Sequence, residues 1–267
     1  MKRVVCLLAV IVPLCSTPAL AQQSGPQPLE GPGTKFDFLS RYDFQLEANV
    51  LSGDDGNRFR WDTHFGGEFD LFDYVKGRAT VVTDYEAVLG SEFRPFDPNQ
   101  GNYILEPALS WWVDKNEVAF VFHHVSRHFS DRPKRYAIAW NVIEGRYLRK
   151  VQVRGTSVGI RASVGKLAQH SDVDYTWTAE FDVTARRSMN PHLDTYVRGT
   201  GEMFGVDPVI KGRMEAVHGG RIEAGVRVKG RKGDLDLFAG VEHRLDATPL
   251  DYLPQTWVIA GFRLVSK

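Results

Sequence analysis

The stretch Val173-Asp174-Tyr175-Thr176-Trp177-Thr178-Ala179-Glu180-Phe181-Asp182-Val183 decides the fold class. Its odd positions are apolar and its even positions are acids and threonines, a period of two that sorts residues onto the faces of a strand and onto no face of a helix. A soluble sheet also alternates. Its inner strands, however, read as apolar on both faces, whereas here charge recurs at every second position through the middle. Such a strand suits a wall whose apolar face meets lipid and whose charged face lines a lumen.

The same pattern recurs along the chain. Tyr42, Phe44, Leu46, Ala48 and Val50 alternate with Asp43, Gln45, Glu47 and Asn49. Phe59, Trp61, Phe65, Phe69 and Leu71 form one face of the next segment against Arg60, Asp62, His64, Glu68 and Asp70. Further segments run around Ala79 to Tyr85, Tyr103 to Val113, Val118 to Ser126, Tyr136 to Leu148 and Ser157 to Val164. After the deciding stretch come Leu193 to Met203, Arg221 to Lys229, Leu235 to Arg244 and Trp257 to Val265. This predicts an all-β, antiparallel transmembrane barrel of about twelve strands, most of them close to the length that crosses a bilayer at a tilt.

Connection lengths support the reading. With the N-terminus periplasmic, the periplasmic links Asp73 to Lys76, Asp114 to Asn116, Lys150 to Arg154, Arg187 to Asn190 and Gly230 to Gly233 are short. The opposite links Ser91 to Asn102, Arg127 to Lys134, Phe204 to Gly219 and Ala247 to Gln255 are longer, as extracellular loops are; Ser52 to Gly56 is the short one among them. Trp111, Trp112, Tyr147 and Trp257 near strand ends suit interface girdles, and His218-Gly219-Gly220 reads as a turn.

Ahead of the strands, Lys2 and Arg3, the apolar run Val4 to Leu14 and Ala19-Leu20-Ala21 have the three parts of a cleavable secretory signal. The expected organisation is therefore a signal peptide over 1–21, a flexible Gln-, Gly- and Pro-rich periplasmic leader over 22–35 and a barrel over 36–267, exported to a bacterial outer membrane. Both cysteines, Cys6 and Cys15, fall within the signal, so no disulfide is expected in the mature chain. Removing Lys2 and Arg3 from 33 basic residues leaves 31 against 33 acidic ones. That balance gives no reason to expect a nucleic-acid partner. The C-terminal run Phe262-Arg263-Leu264-Val265-Ser266-Lys267 lacks the final aromatic residue through which the barrel assembly machinery commonly reads such chains.

Chemistry concentrates in Phe122-His123-His124-Val125-Ser126-Arg127-His128-Phe129-Ser130-Asp131. Alternation puts Val118, Phe120, Phe122, His124 and Ser126 on one face, so His124 and Ser126 continue an apolar stripe toward lipid near the outer leaflet. Residues two apart on a strand are roughly 6.7 Å apart along the chain, a gap that an imidazole and a hydroxyl can close. On the next strand Asn141, Ile143 and Tyr147 share that outward face while Glu144 and Arg146 point into the lumen. An Asn so placed can accept a bond from the imidazole and fix its tautomer, as the third member of a triad does.

Phe122-x-His124-x-Ser126 followed by Trp140-Asn141 and Tyr147 resembles the signature of the outer-membrane phospholipase A family. The resemblance implies a twelve-stranded, calcium-dependent, dimeric hydrolase of phospholipid acyl esters, with Ser126 as nucleophile, His124 as general base and Asn141 as orienting residue. The spacing from Ser126 to Asn141 is a few residues longer than in that family, and Val125-Ser126-Arg127-His128 differs from the family's surroundings of its serine. His-x-Ser is similar also to the outer-membrane lipid A deacylases, which act on lipopolysaccharide and use an acidic third member, for which Glu144 is the nearest acid. The fuller pattern His124-x-Ser126-x-His128-x-x-Asp131 resembles an uncharacterised family of outer-membrane barrels, which makes His128 and Asp131 accessory candidates. Three further readings stay open: metal binding by His123, His124 and His128; a purely structural barrel; and a pore whose lumen carries Asp174, Glu180, Arg198, Glu223 and Arg227.

Overall fold

The computed structural model describes residues 27–53, 57–129, 137–207, 209 and 213–266. The expected signal peptide, the start of the leader and Asp131 lie outside them. Twelve antiparallel strands close on themselves in sequence order, with β1 (Asp37–Ser52) hydrogen-bonded to both β2 (Trp61–Asp73) and β12 (Leu253–Ser266). Between them run β3 (Arg78–Gly90), β4 (Asp97–Val113), β5 (Asn116–Phe129), β6 (Ile138–Val153) and β7 (Thr156–Ser171). β8 (Tyr175–Asn190), β9 (Leu193–Val206), β10 (Ala216–Lys229) and β11 (Gly233–Thr248) complete the wall. Closure leaves no sheet edge, which is the condition for a β-structure to stand in hydrocarbon.

Strands of 13 to 17 residues exceed the 9–11 or so needed to cross the apolar layer, so the wall projects beyond it. The links after even-numbered strands are tight. Arg154 and Gly155 both take positive φ, +50° and +80°, the backbone that a two-residue hairpin turn needs to match strand twist. Several links are shorter than the sequence suggests because alternation fades before pairing does. Lys150 to Val153 and Arg187 to Asn190 are strand rather than turn, and His218-Gly219-Gly220 belongs to β10.

The outward set includes Phe44, Phe65, Tyr103, Leu105, Phe120 and Phe181, each exposed. Inward lie Glu47, Asp62, Glu106, Glu117, Glu144, Arg221, Glu223, Asp236 and Glu242, all at most 1% exposed. This is the inverse of a soluble protein, where large apolar side chains go inside and charges are almost never fully buried. The buried charges are tied to one another. Arg263 of β12 reaches Glu47 of β1 (2.6 Å), Glu223 of β10 (2.9 Å) and Asp236 of β11 (3.3 Å). Arg244 of β11 crosses the lumen to Asp62 of β2 (2.8 Å) and Glu86 of β3 (2.7 Å). Arg78 of β3 holds Glu68 and Asp70 at 3.0 Å each and Glu117 at 2.7 Å. Four of the five charges expected to line a pore are likewise in ion pairs: Arg198 with Asp182, Arg227 with Asp236, Glu223 with Arg221 and Arg263, and Asp174 with Arg213. At mid-height the lumen is thus filled by paired side chains.

Three aromatic residues face opposite to expectation. Tyr175 is 3% exposed, packed against Trp140 and Phe204 and donating to Asp246 at 2.5 Å. The register skips a residue between Tyr175 and Trp177, and such a bulge reverses the facing of everything beyond it. Phe59 precedes β2 and folds inward onto Trp257, ring centroids 5.4 Å apart. Trp257 therefore belongs to no interface girdle: it lies inside with the Arg244 guanidinium 5.5 Å from its ring. At the turn end, Gln27 donates from its backbone N to Glu68 (2.8 Å) and its carbonyl accepts from Arg78 (2.9 Å), which seats the segment before β1 in the mouth of the lumen.

Two consequences can be measured by reversible denaturant unfolding in lipid vesicles. Phe181→Arg, at the middle of an outward face, should cost about 2–4 kcal/mol. Arg244→Ala, which removes the guanidinium shared by the buried Asp62, Glu86 and Glu242, should cost about 3–5 kcal/mol. Equal and negligible effects of both would contradict the inside-out arrangement.

Candidate active site on the outer wall

β5 and β6 pair so that His124 sits directly opposite Asn141, and Ser126 opposite Ala139. On the other side of β5, Leu105 and Tyr103 of β4 face His124 and Ser126. Period two carries His124, Ser126 and His128 onto the outer wall, while Glu117, Ala119, Val121, His123 and Val125 are buried inward. The candidate residues therefore rise from the lipid-facing surface at the loop end of the barrel.

His124 Nδ1 and Asn141 Oδ1 are 2.6 Å apart. An amide oxygen only accepts, so Nδ1 carries the proton and, in the neutral ring, Nε2 keeps its lone pair. Asn141 Nδ2 in turn donates to Gln169 Oε1 at 3.3 Å, which orients the amide with its oxygen toward the histidine. Gln169 is the register partner of Asn141 on β7, next to a one-residue shift between Asn141 and Val142. Sequence reasoning missed Gln169, because nothing local to β7 shows which β6 residue it meets.

Ser126 Oγ is bonded to His128 Nε2 at 3.1 Å. The serine thus shares the wall with His124 but makes its hydrogen bond to the second histidine. His128 packs edge-on against Tyr103, ring centroids 5.2 Å apart, so an aromatic side chain from β4 fixes that imidazole. The structure therefore brings together two pairs, His124 with Asn141 and Ser126 with His128, on one face.

Two other candidates fall elsewhere. Glu144 is 1% exposed in the lumen and bonded to Arg146 at 3.1 Å; the β5–β6 wall separates it from His124, and it serves as no acidic third member. His123 also points inward, where it pairs with Glu106, so His123, His124 and His128 do not converge on a metal. Among the described residues the grouping with metal-ligand spacing is Asp62, His64 and Glu86. It lies inside the barrel, where Arg244 already bridges its two carboxylates.

No protein-family profile matches the sequence, and no curated protein matches it. Solved structures do. Outer membrane phospholipase A from Escherichia coli is similar at a TM-score of 0.50 and 10% identity, over 85% of this chain and 92% of that one. The Salmonella typhi outer membrane phospholipase dimer with bound calcium gives 0.48 at 11% identity, over 85% and 90%. The Acinetobacter baumannii outer membrane protein Omp33 gives 0.41 at 7%, over 85% and 97%. At such identities the likeness shows the shared barrel fold alone.

The tautomer is open to measurement. Nitrogen-15 NMR of histidine-labelled protein in micelles should find His124 protonated at Nδ1, and Asn141→Leu should release the ring to a mixture of tautomers. An unchanged spectrum would remove Asn141 from its orienting role.

Proposed function

We propose that the chain is an integral outer-membrane barrel that hydrolyses acyl esters of membrane lipids at its outer wall. The observation that carries this reading is the 2.6 Å bond from His124 Nδ1 to Asn141 Oδ1 on a lipid-facing surface, two residues from a serine. A buried relay of this kind inside a soluble core would be a packing device. On a surface that meets acyl chains, an imidazole with a fixed tautomer beside a hydroxyl is a base in search of a nucleophile.

In the reaction, the Ser126 side chain turns from His128 toward His124, whose Nε2 accepts the hydroxyl proton as Oγ attacks the acyl carbonyl. Asn141 holds the ring through Nδ1 and stabilises the imidazolium that forms. The imidazolium then protonates the departing alcohol oxygen, and water activated by the same Nε2 releases the fatty acid from Ser126. The apolar outer surface around the site, with Leu105, Phe120 and Ile143 exposed, receives the acyl chains of phospholipid or of lipopolysaccharide.

Calcium, which the resemblance to outer-membrane phospholipase A implies, asks for several oxygen ligands, carboxylates prominent among them. The strand partners of His124 and Ser126 are Leu105, Asn141, Tyr103 and Ala139, with no carboxylate among them, and the Asn141 oxygen is engaged by His124. These strand partners do not fit the ion, and no step passes through it.

The rival is a barrel without catalysis, and one observation favours it: Ser126 bonds to His128 rather than to His124. A pore is the weaker form of that rival, because the lumen charges pair across its middle. The readings separate on ester release from phospholipid and from lipopolysaccharide by refolded protein in micelles. Ser126→Ala and His124→Ala should each lower the rate by orders of magnitude, Asn141→Ala by a smaller factor, and Glu144→Gln should leave it unchanged. Absence of release by the wild-type protein, with and without added calcium, would leave the barrel non-enzymatic.

A further inference from the structure

At the turn end, inside the wall, a cavity of about 370 Å³ opens beside the segment Gln27 to Leu29. Six cationic side chains line it against three carboxylates among the described residues. Five of the six are engaged: Arg41 with Asp70, Lys150 with Glu30, Arg198 with Asp182, Arg227 with Asp236, and Arg263 with Glu47. Arg186 has no ion pair or hydrogen bond with any described residue, and its Nε is buried without a partner. The carboxylates that act on it, Asp236 and Asp194, are in ion pairs with Arg227 and with Lys229.

A second unsatisfied donor stands next to it. Tyr196 is 4% exposed, lines the same cavity, and its hydroxyl is buried without a partner. Arg186 and Tyr196 are directly opposed across β8 and β9, which places their Cβ atoms about 5 Å apart. Arg227 contributes a third donor: its Nε and Nη2 are used on Asp236 at 2.5 and 2.7 Å, while Nη1 stands 3.9 Å from Asp234, beyond hydrogen-bond reach. A guanidinium nitrogen buried without a partner is costly, and two guanidinium groups and a hydroxyl lining one cavity are an acceptor's complement.

We infer that this cavity binds the phosphoryl group of a small soluble phosphomonoester, held by Arg186, Arg227 and Tyr196. Guanidinium groups match phosphate oxygens in pairs, and a tetrahedral dianion has acceptors enough for two of them and a hydroxyl. Six cations line the cavity, which suits an anion better than an acyl chain. Phosphatidic acid carries the same phosphomonoester, but its tails lie outside the wall and the cavity inside it, so the free ester is the ligand that reaches the site. This site is independent of Ser126 and of any hydrolysis there.

The test is isothermal titration calorimetry on the mature chain refolded in zwitterionic micelles, at constant ionic strength in chloride, with folding checked by gel mobility before and after heating. Glycerol 3-phosphate should give saturable heat, with affinity at least tenfold weaker in Arg186→Gln and weaker also in Tyr196→Phe, a variant that keeps every charge and carries the test should Arg186→Gln not fold. Mixed micelles containing phosphatidic acid form a second arm. No saturable heat with glycerol 3-phosphate, or equal affinity in the wild type and both variants, would overturn the site. Binding of phosphatidic acid alone would overturn the soluble ester as its ligand.

Discussion

Inside hydrocarbon a peptide group has nothing to bond with except another peptide group, and every other feature here follows from that. Satisfying each strand on both sides forces the sheet to close, with β1 meeting β12 through the pairs Gln45–Val265 to Ser52–Val258. Closure creates an interior, and the pleat sends every second side chain into it. Because the outer face must be apolar, the polar half of the sequence has nowhere else to go. The charges must then neutralise one another, and Arg263, Arg244 and Arg221 do so by gathering carboxylates from three strands each, Arg78 from two. The network is thus a product of the wall rather than its cause, although the wall cannot stand without it.

The same logic puts chemistry on the outside. A polar side chain on the lipid face lies among apolar neighbours and sheds water with them, so His124 and Asn141 bond to each other across the β5–β6 ladder. Antiparallel register is what makes the meeting dependable: the two residues are 17 apart in sequence and directly opposed in space. Ser126 and His128 repeat the device along one strand. Two imidazoles, two residues to either side, therefore share one face of the strand with the Ser126 hydroxyl, which bonds to the second of them.

How much of this could be read from the residues depends on whether period two holds. It holds from Tyr42 along β1, through β5 and around Glu144 on β6, so the outward placement of Phe44, Leu46, His124 and Ser126, and the inward placement of His123 and Glu144, were legible. It fails at Tyr175, where a bulge inserts one residue and turns the ring inward to Asp246, and no composition signal marks that bulge. Phe59 and Trp257 misled for a related reason: near a strand end a side chain can fold over the rim and pack inside. Partners were less legible than faces. Alternation announces that Arg186 points into the lumen, but only register reveals Tyr196 beside it and the missing counter-charge.

The segment at Gln27 gives the barrel a sense of time as well as shape. Its backbone nitrogen bonds to Glu68 on β2 and its oxygen to Arg78 on β3, while Glu30 reaches Lys150 on β6 at 3.4 Å. β2 and β6 are joined by no ladder and lie four strands apart along the wall. The segment earliest in the described chain can therefore hold all three contacts only once the sheet from β2 to β6 has curved, so a probe placed there would report that curvature rather than the pairing of any two neighbours.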